Sequence, residues 1–288
     1  VGTKGIEKMS YKIVVDSCGE IPKEKLAGGF YENVPLELDV DGERIVDDET
    51  FDQADFLKKV AASPNCPKSS CPSPKRYMQA YEDGGADHIY VVTLSEQLSG
   101  SYNSARLGQQ LFEEKHPDRK VHVFNSRSAS IGQTLVAMKV EEYELAGCSF
   151  EKVVEKTEQF VDGLDTYFVL ESLETLRKNG RLSGIKAFVA SALNIKPVMG
   201  ATPEGSICQL GQARGINKAI HKMVEAVVQN VKNPAEKILA ISHCNCYERA
   251  LMAKKLLEEK TTFKDIMILD TNGISSLYAN DGGVIIAV

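Results

Sequence analysis

Seven short runs rich in β-branched and aromatic residues constrain the fold more than any other feature: Ile13 to Val15, Ile89 to Val92, Val121 to Phe124, Tyr167 to Leu170, Ile238 to Ile241, Ile266 to Leu269 and Val284 to Val288. Each has the length of a strand and is apolar at successive positions, the pattern of strands covered on both faces in a parallel sheet. Between them lie stretches of helical spacing. The clearest are Ile185, Phe188, Val189, Ala192 and Leu193, and then Ile216, Ile220, Met223, Val227 and Val231. Strand and helix alternate, so the expected fold class is α/β, with mostly parallel sheets in two α/β domains and a ligand site at the domain interface. The first three strands precede two helical segments, 132–147 and 150–163, and the break at Gly163-Leu164-Asp165 follows. This predicts an N-terminal domain over 10–163 and a C-terminal domain over 164–288, with the last strand free to return to the first domain. A chain of 288 residues fits two domains of roughly 100–200 residues each.

Composition removes several function classes. Lys plus Arg number 34 against 40 Asp plus Glu, a formal charge of −6, and no basic run is present, which argues against nucleic acid as a partner. With 43% hydrophobic and 26% charged residues the chain has the make-up of a soluble globular protein, and no apolar run reaches the roughly 18 residues of a membrane span. Transient contact with a membrane surface is compatible with this, a span is not. The opening, Val1 to Tyr11, has no apolar core segment and does not read as a secretion signal; Met9 is a candidate natural start. Seven cysteines are scattered without paired C-x-x-C spacing, which fits a reducing cytoplasm. His243-Cys244-Asn245-Cys246 reads as a strand end rather than a metal site, because no second ligand pair stands nearby. No G-x-G-x-x-G follows a strand, and Gly200 to Gly205 continues with Ser206-Ile207 where a phosphate loop needs Lys and Ser or Thr. Neither G-x-S-x-G nor H-E-x-x-H occurs.

What remains is a set of small hydroxyl residues after strands. Asp16-Ser17 follows the first strand, at the carboxyl edge where α/β sheets carry ligand-facing residues; it is equally a turn with a side-chain cap. In Lys68-Ser69-Ser70-Cys71-Pro72-Ser73-Pro74, Ser73 is an N-cap and Pro74 a first helical residue, with Tyr77, Met78 and Tyr81 as the stripe behind. Ser69 and Ser70 are not needed for that cap. Thr93 to Ala105 runs from a strand into a helix through Ser95, Ser99, Gly100 and Ser101. A helix N-terminus with free amides suits an anion, although capping by Ser99 or Ser101 alone would explain the serines. Asn125 to Gly132 repeats the arrangement, so three hydroxyl-rich strand ends converge on one edge if the sheet is parallel. Asp47-Asp48-Glu49 reads as a solvated loop and His122 as a satisfied strand histidine.

Asp16-Ser17, Lys68-Ser69-Ser70-Cys71-Pro72-Ser73-Pro74, Leu98-Ser99-Gly100-Ser101-Tyr102-Asn103-Ser104-Ala105, Lys178-Asn179-Gly180-Arg181-Leu182-Ser183 and Ile195-Lys196-Pro197 together resemble the DegV family, in the family's order and across nearly the whole chain. Ser69 stands where the family has Thr, and Cys71 where it has Gln. Leu94-Ser95 keeps one of two serines, and Ala279-Asn280-Asp281-Gly282-Gly283 replaces His-x-Gly-Pro-Gly, without a histidine. The resemblance implies a two-domain α/β protein that holds one long-chain fatty acid, palmitate for example, between its domains and presents the carboxylate to a separate fatty-acid kinase. It implies no cofactor, no metal and no catalytic residue. Carried over by position, Ser69, Ser70, Ser95, Ser99 and Gly100 hold the carboxylate, and Arg214 stands near the entrance. Phe188, Leu193 and Ile195, with Val189 and Ala192, are expected to wall the acyl tunnel or to form ordinary core. Lys178 to Arg181 has the make-up of a helix C-terminus; the sharper expectation makes Arg181 and Lys186 a kinase-docking surface. The alternative function is a serine-dependent enzyme acting on a small acylated or phosphorylated substrate, for which His243 is the one histidine near a sheet edge.

Overall fold

The structure is a computed structural model and describes residues 10–182 and 194–288. The segment carrying Lys186, Phe188, Val189, Ala192 and Leu193 lies outside the described residues. The first half runs through β1 (Tyr11–Asp16), α1 (Lys23–Ala27), β2 (Tyr31–Val34), β3 (Glu37–Val40), β4 (Glu43–Val46), α2 (Gln53–Ala62), β5 (Lys68–Ser70) and α3 (Pro74–Glu82). It continues through β6 (His88–Thr93), α4 (Ser101–Lys115), β7 (Lys120–Asn125), α5 (Ile131–Leu145) and α6 (Phe150–Asp162). Its main sheet has the order β2-β1-β6-β7 and is parallel throughout. Successive residues face opposite sides of a strand. Ile13, Val15, Tyr90 and Val92 therefore meet α5 and α6 through Val136, Val140 and Val153, while Val14, Ile89 and Val91 meet α3 and α4 through Tyr77, Tyr81, Ala105 and Phe112. Both faces are covered, which is why these strands read as unbroken apolar runs. α3 starts as its sequence predicts: the Ser73 hydroxyl accepts the Arg76 amide at 3.2 Å, and Pro74 is the first helical residue. β3, β4 and β5 form a small antiparallel sheet.

The second half contains β8 (Thr166–Val169), α7 (Glu174–Lys178), β9 (Ile195–Ala201), β10 (Ile207–Arg214), α8 (Ile216–Asn230), β11 (Ile238–His243), α9 (Tyr247–Glu258), β12 (Asp265–Asp270), α10 (Gly273–Ala279) and β13 (Val284–Ala287). Its sheet has the order β10-β9-β8-β13-β11-β12. The expectation of parallel strands holds in the first sheet; in the second, only β11 and β12 run parallel. The cause is local connection. β9 and β10 are a hairpin through Thr202-Pro203-Glu204-Gly205, with Gly205 at φ +88°, and a short turn returns the chain from α10 into β13. That last strand does not return to the first sheet, because it fills the slot between β8 and β11.

One helix joins the two sheets. α5 buries Ile131, Gly132, Gln133, Thr134, Leu135, Val136, Ala137 and Val140, residues from all round its circumference, and a helix apolar on every side is one enclosed by protein. Val136 and Val140 pack with the first sheet; Ile131 and Leu135 pack with Ala240, Ile285 and Ala287 of the second.

Candidate functional site

The carboxyl ends of β1, β6 and β7 converge on one edge, as parallel pairing requires, and there they meet the face of the second sheet. Between them lies a partly open, mainly apolar cavity, the kind of concave site in which small apolar ligands are held. The first half contributes Cys18, Leu94, Leu98 and Arg127 to Ser130; the second contributes Phe168, Leu170, Leu176, Ile207, Ile274, Tyr278 and Ile285. The walls are mainly aliphatic and aromatic, with hydroxyls confined to a few places.

The frame of this cavity is set by Asp16, which is wholly buried at the end of β1. Its carboxylate accepts the Ser101 hydroxyl at 2.7 Å, the Leu94 amide at 3.0 Å and the Gln133 side-chain amide at 2.9 Å. It thus ties the loop after β6 to the starts of α4 and α5. Burial raises its pKa against the opposing pull of these hydrogen bonds. Ser17 accepts the Leu36 amide at 2.9 Å. Asp16-Ser17 is therefore the turn-and-cap device, and neither residue lines the cavity.

The side of the cavity lined by Arg181 and Tyr278, which we take as its mouth, is where β5, the start of α4 and the turn after α7 come together; Ser69, Ser70, Ser99 and Gly100 stand beside it and are not among the lining residues. Ser69 Oγ and Tyr278 Oη are 2.9 Å apart, and Cys71 Sγ lies 3.9 Å from Ser104 Oγ. Ser69 and Ser70 are neighbours in a strand, so their side chains leave opposite faces; Ser69 turns to Tyr278, while Ser70 is exposed. Ser99 accepts the Ser101 amide at 3.2 Å, and Gly100 is the exposed N-cap of α4. The first-turn amides of Tyr102 and Asn103 have no carbonyl four residues back inside the helix, and the helix dipole adds positive potential there. Arg181 was expected on a docking surface. It lines the cavity, donating from Nε to the Leu98 carbonyl at 3.1 Å, with its guanidinium 5.5 Å from the Tyr278 ring centre. It reaches this place because Gly180, at φ +77°, reverses the chain after α7, and Asn179 donates to the Pro67 carbonyl at 3.0 Å.

Other expected site residues have other tasks. Ser95 is buried, and its hydroxyl donates to the Gly205 carbonyl at 2.8 Å, so its proton fastens the β9–β10 hairpin to the first half and is not free for a carboxylate. Arg214 ends β10 at an exposed position opposite Ile195, and neither lines the cavity. Asp47, expected in a solvated loop, is buried and accepts the Gly273 and Ile274 amides at 2.7 and 2.8 Å. It caps α10 from the other half, and burial pushes its pKa up to about 6.

Beneath the cavity floor is a second polar group that sequence reasoning missed. Glu20 is buried, with both carboxyl oxygens 3.0 and 2.9 Å from Ser130 Oγ, and Ser130 Oγ is 2.8 Å from Ser242 Oγ. Burial, opposed by the hydrogen bonds of Ser275 and Ser130, pushes its pKa up to about 8. Ser130 holds this place with φ +56°, an uncommon backbone for a residue with a side chain.

No histidine lines the cavity among the described residues. His243 lies 3.3 Å from Asp270, and burial lowers its pKa; His122 is 3.1 Å from Glu158, satisfied in its strand. Among the described residues no group of three His, Cys, Asp or Glu is placed to hold a metal, and no helix is long and apolar enough to cross a membrane.

Fold and site together define an α/β protein with an apolar cavity enclosed between two sheets. The chain belongs to the DegV family: the family model, described as an uncharacterised protein of the DegV family, matches residues 10–288. A DegV domain-containing protein of Streptococcus pneumoniae is 34% identical over 280 residues, covering 96% of this chain and 98% of its own. A DegV family protein from Ruminococcus gnavus, refined with vaccenic acid, superposes with a TM-score of 0.94 at 54% identity, covering 97% of this chain and all of the other. The Fatty Acid Kinase (Fak) B3 protein of Streptococcus pneumoniae, loaded with linoleic acid, superposes with a TM-score of 0.87 at 33% identity, covering 97% of this chain and 99% of its own.

Proposed function

We propose that this protein is a non-enzymatic carrier of one long-chain fatty acid, which it holds between its two halves and presents, carboxylate outward, to a separate fatty-acid kinase. The observation that carries the reading is the cavity: a mainly apolar space between two sheets, lined on one side by the Arg181 guanidinium and by Tyr278, whose hydroxyl meets Ser69. Burying about fourteen methylenes at ~0.8 kcal/mol each yields roughly 11 kcal/mol before ordering costs, so the acyl chain supplies most of the affinity. The head group needs only enough donors to avoid a buried unpaired charge. Ser69, Ser99, the amide of Gly100, Tyr278 and Arg181 are the donors we assign to it, with Ser70 at the outer rim. The acids carried by the two similar structures, vaccenic and linoleic, are of the same chemical class. The kinase partner rests on the name of the Fak B3 protein.

We divide the chain into two domains near residue 164, where α6 gives way to β8, and place the protein in the cytoplasm, in keeping with seven free thiols. The enzyme alternative has no support in the cavity, whose serines have no imidazole beside them among the described residues. Native mass spectrometry of the purified protein, followed by extraction of bound lipid, tests the carrier reading. One fatty acid per chain is the expected result. A protein that is empty and takes up no added fatty acid overturns it, and labelling of a cavity serine by a fluorophosphonate would restore the enzyme.

A further inference from the structure

We propose that Glu20 couples acyl-chain binding to the uptake of one proton, an inference that rests on the cavity being the acyl site. Glu20 lies on the loop after β1, and the hydroxyls around it come from both halves: Ser130 from the start of α5, Ser242 from β11 and Ser275 from α10. Ser130, Ser275 and Cys18 line the cavity, so the carboxyl sits one hydroxyl behind the floor. Thr134 holds the Glu20 backbone carbonyl at 3.2 Å, which fixes the residue in this position. The other titratable groups facing the cluster are Asp16 and Cys18 on its own loop and Asp47 from the loop after β4, all acidic. From α5, β11 and α10 it meets hydroxyls only, and among the described residues no Lys, Arg or His forms an ion pair with it.

The carboxyl is thus held by a few neutral donors beside the acidic Asp47, and only the hydroxyls of Ser130 and Ser275 stand between it and the cavity. Water filling that space stabilises the ionised form; a hydrocarbon chain displaces it and favours the neutral acid. Burial already pushes its pKa up to about 8, so well below that pH Glu20 is neutral whether or not the cavity is filled, and binding is proton-independent. Above it the empty protein is ionised, and loading must return a proton to the carboxyl. Affinity then falls as pH rises, by up to tenfold per pH unit, until the pKa of the loaded state is reached.

The test is titration of the full chain with vaccenate at submicellar concentration from pH 6.5 to 9.5. At pH 8.5 to 9, calorimetry in two buffers of different ionisation enthalpy reads the proton count directly. Uptake near zero at pH 6.5 and approaching one proton at pH 9, with an affinity slope that flattens in Glu20→Gln, is the expected result. Tight binding with no uptake at pH 9, or an equal slope in Glu20→Gln, overturns the inference while leaving the carrier reading in place. Absence of vaccenate binding at every pH overturns both. The calorimetric count uses only the wild-type protein, so the inference stays falsifiable if Glu20→Gln does not fold.

Discussion

Serine marks both ends of the cavity, with opposite meaning. At the mouth, Ser69 and Ser99 are half-buried and Ser70 is exposed, and their partners are a tyrosine hydroxyl and a local amide. At the floor, Ser130, Ser242 and Ser275 are buried and bound into a carboxyl cluster that spans both halves. A hydroxyl within reach of water can exchange its partner for a ligand at little cost. One that is buried and fully engaged cannot, because any partner it leaves behind loses its hydrogen bond without compensation, at about 1–3 kcal/mol per group. The mouth can therefore specialise in binding, and the floor in holding the halves together and tuning one carboxyl.

The largest effect expected from this contrast is in the pH dependence of stability. Folding raises the Glu20 pKa from 4.5 to about 8. The unfolded chain therefore ionises first, and the folded state loses relative stability as pH rises through this window, the reverse of a salt-bridged carboxylate. The full shift corresponds to roughly 4–5 kcal/mol. Urea denaturation of wild type and Glu20→Gln at pH 4.5, 7 and 9 should show the variant gaining on the wild type by an amount of that order. A difference that does not change with pH would mean the floor carboxyl is solvated in the folded state, and the contrast between floor and mouth would fail.

Next in size is the fastening of the hairpin. An added Cβ at Gly205 would come 2.7 Å from Arg127 Cα and 3.0 Å from its carbonyl oxygen, at a φ of +88° that side chains rarely adopt. Backbone cannot yield as a flexible side chain does, so Gly205→Ala should cost about 3 kcal/mol in urea denaturation. Because Gly205 and Ile207 wall the cavity, acyl retention should fall with it. Unchanged stability would show that the hairpin is not held against the first half by Ser95.

The sequence carried what depends on near neighbours and on burial pattern. Apolar runs located β1, β6, β7, β8, β11, β12 and β13; Ser73-Pro74 located the start of α3; and parallel pairing brought three strand ends to one edge. It did not carry partnerships between distant residues. Ser95 reads, by its place in the motif, as a ligand of the carboxylate, and nothing near it in sequence announces that Gly205, 110 residues later, accepts its proton. Asp47 reads as part of an acidic loop until α10 arrives 226 residues on and offers two amides. Tyr278 belongs to no motif singled out in the sequence, yet it meets Ser69 across 209 residues. Glu20 gave no signal at all, since a single acidic residue after a strand is commonplace, and only the closing of the second half over it makes it a buried acid. β9 and β10 were missed because Pro, Gly and polar residues interrupt them.

The smallest expected effects come from one substitution made at each end. Ser69→Ala removes a hydroxyl at the mouth, where water can take over the partner Tyr278. Stability should stay within about 0.5 kcal/mol, and vaccenate affinity should fall about fivefold, the worth of one hydrogen bond near 1 kcal/mol. Ser242→Ala removes a hydroxyl beneath the floor, where Ser130 Oγ loses its buried partner at 2.8 Å. There the cost should be about 1–2 kcal/mol in stability, with affinity at pH 6.5 changed less than twofold. The two variants should thus move different observables, one the dissociation constant and the other the denaturation midpoint. If both moved the same observable, depth in the cavity would not separate binding from framework, and the division drawn between the two sets of serines would be wrong.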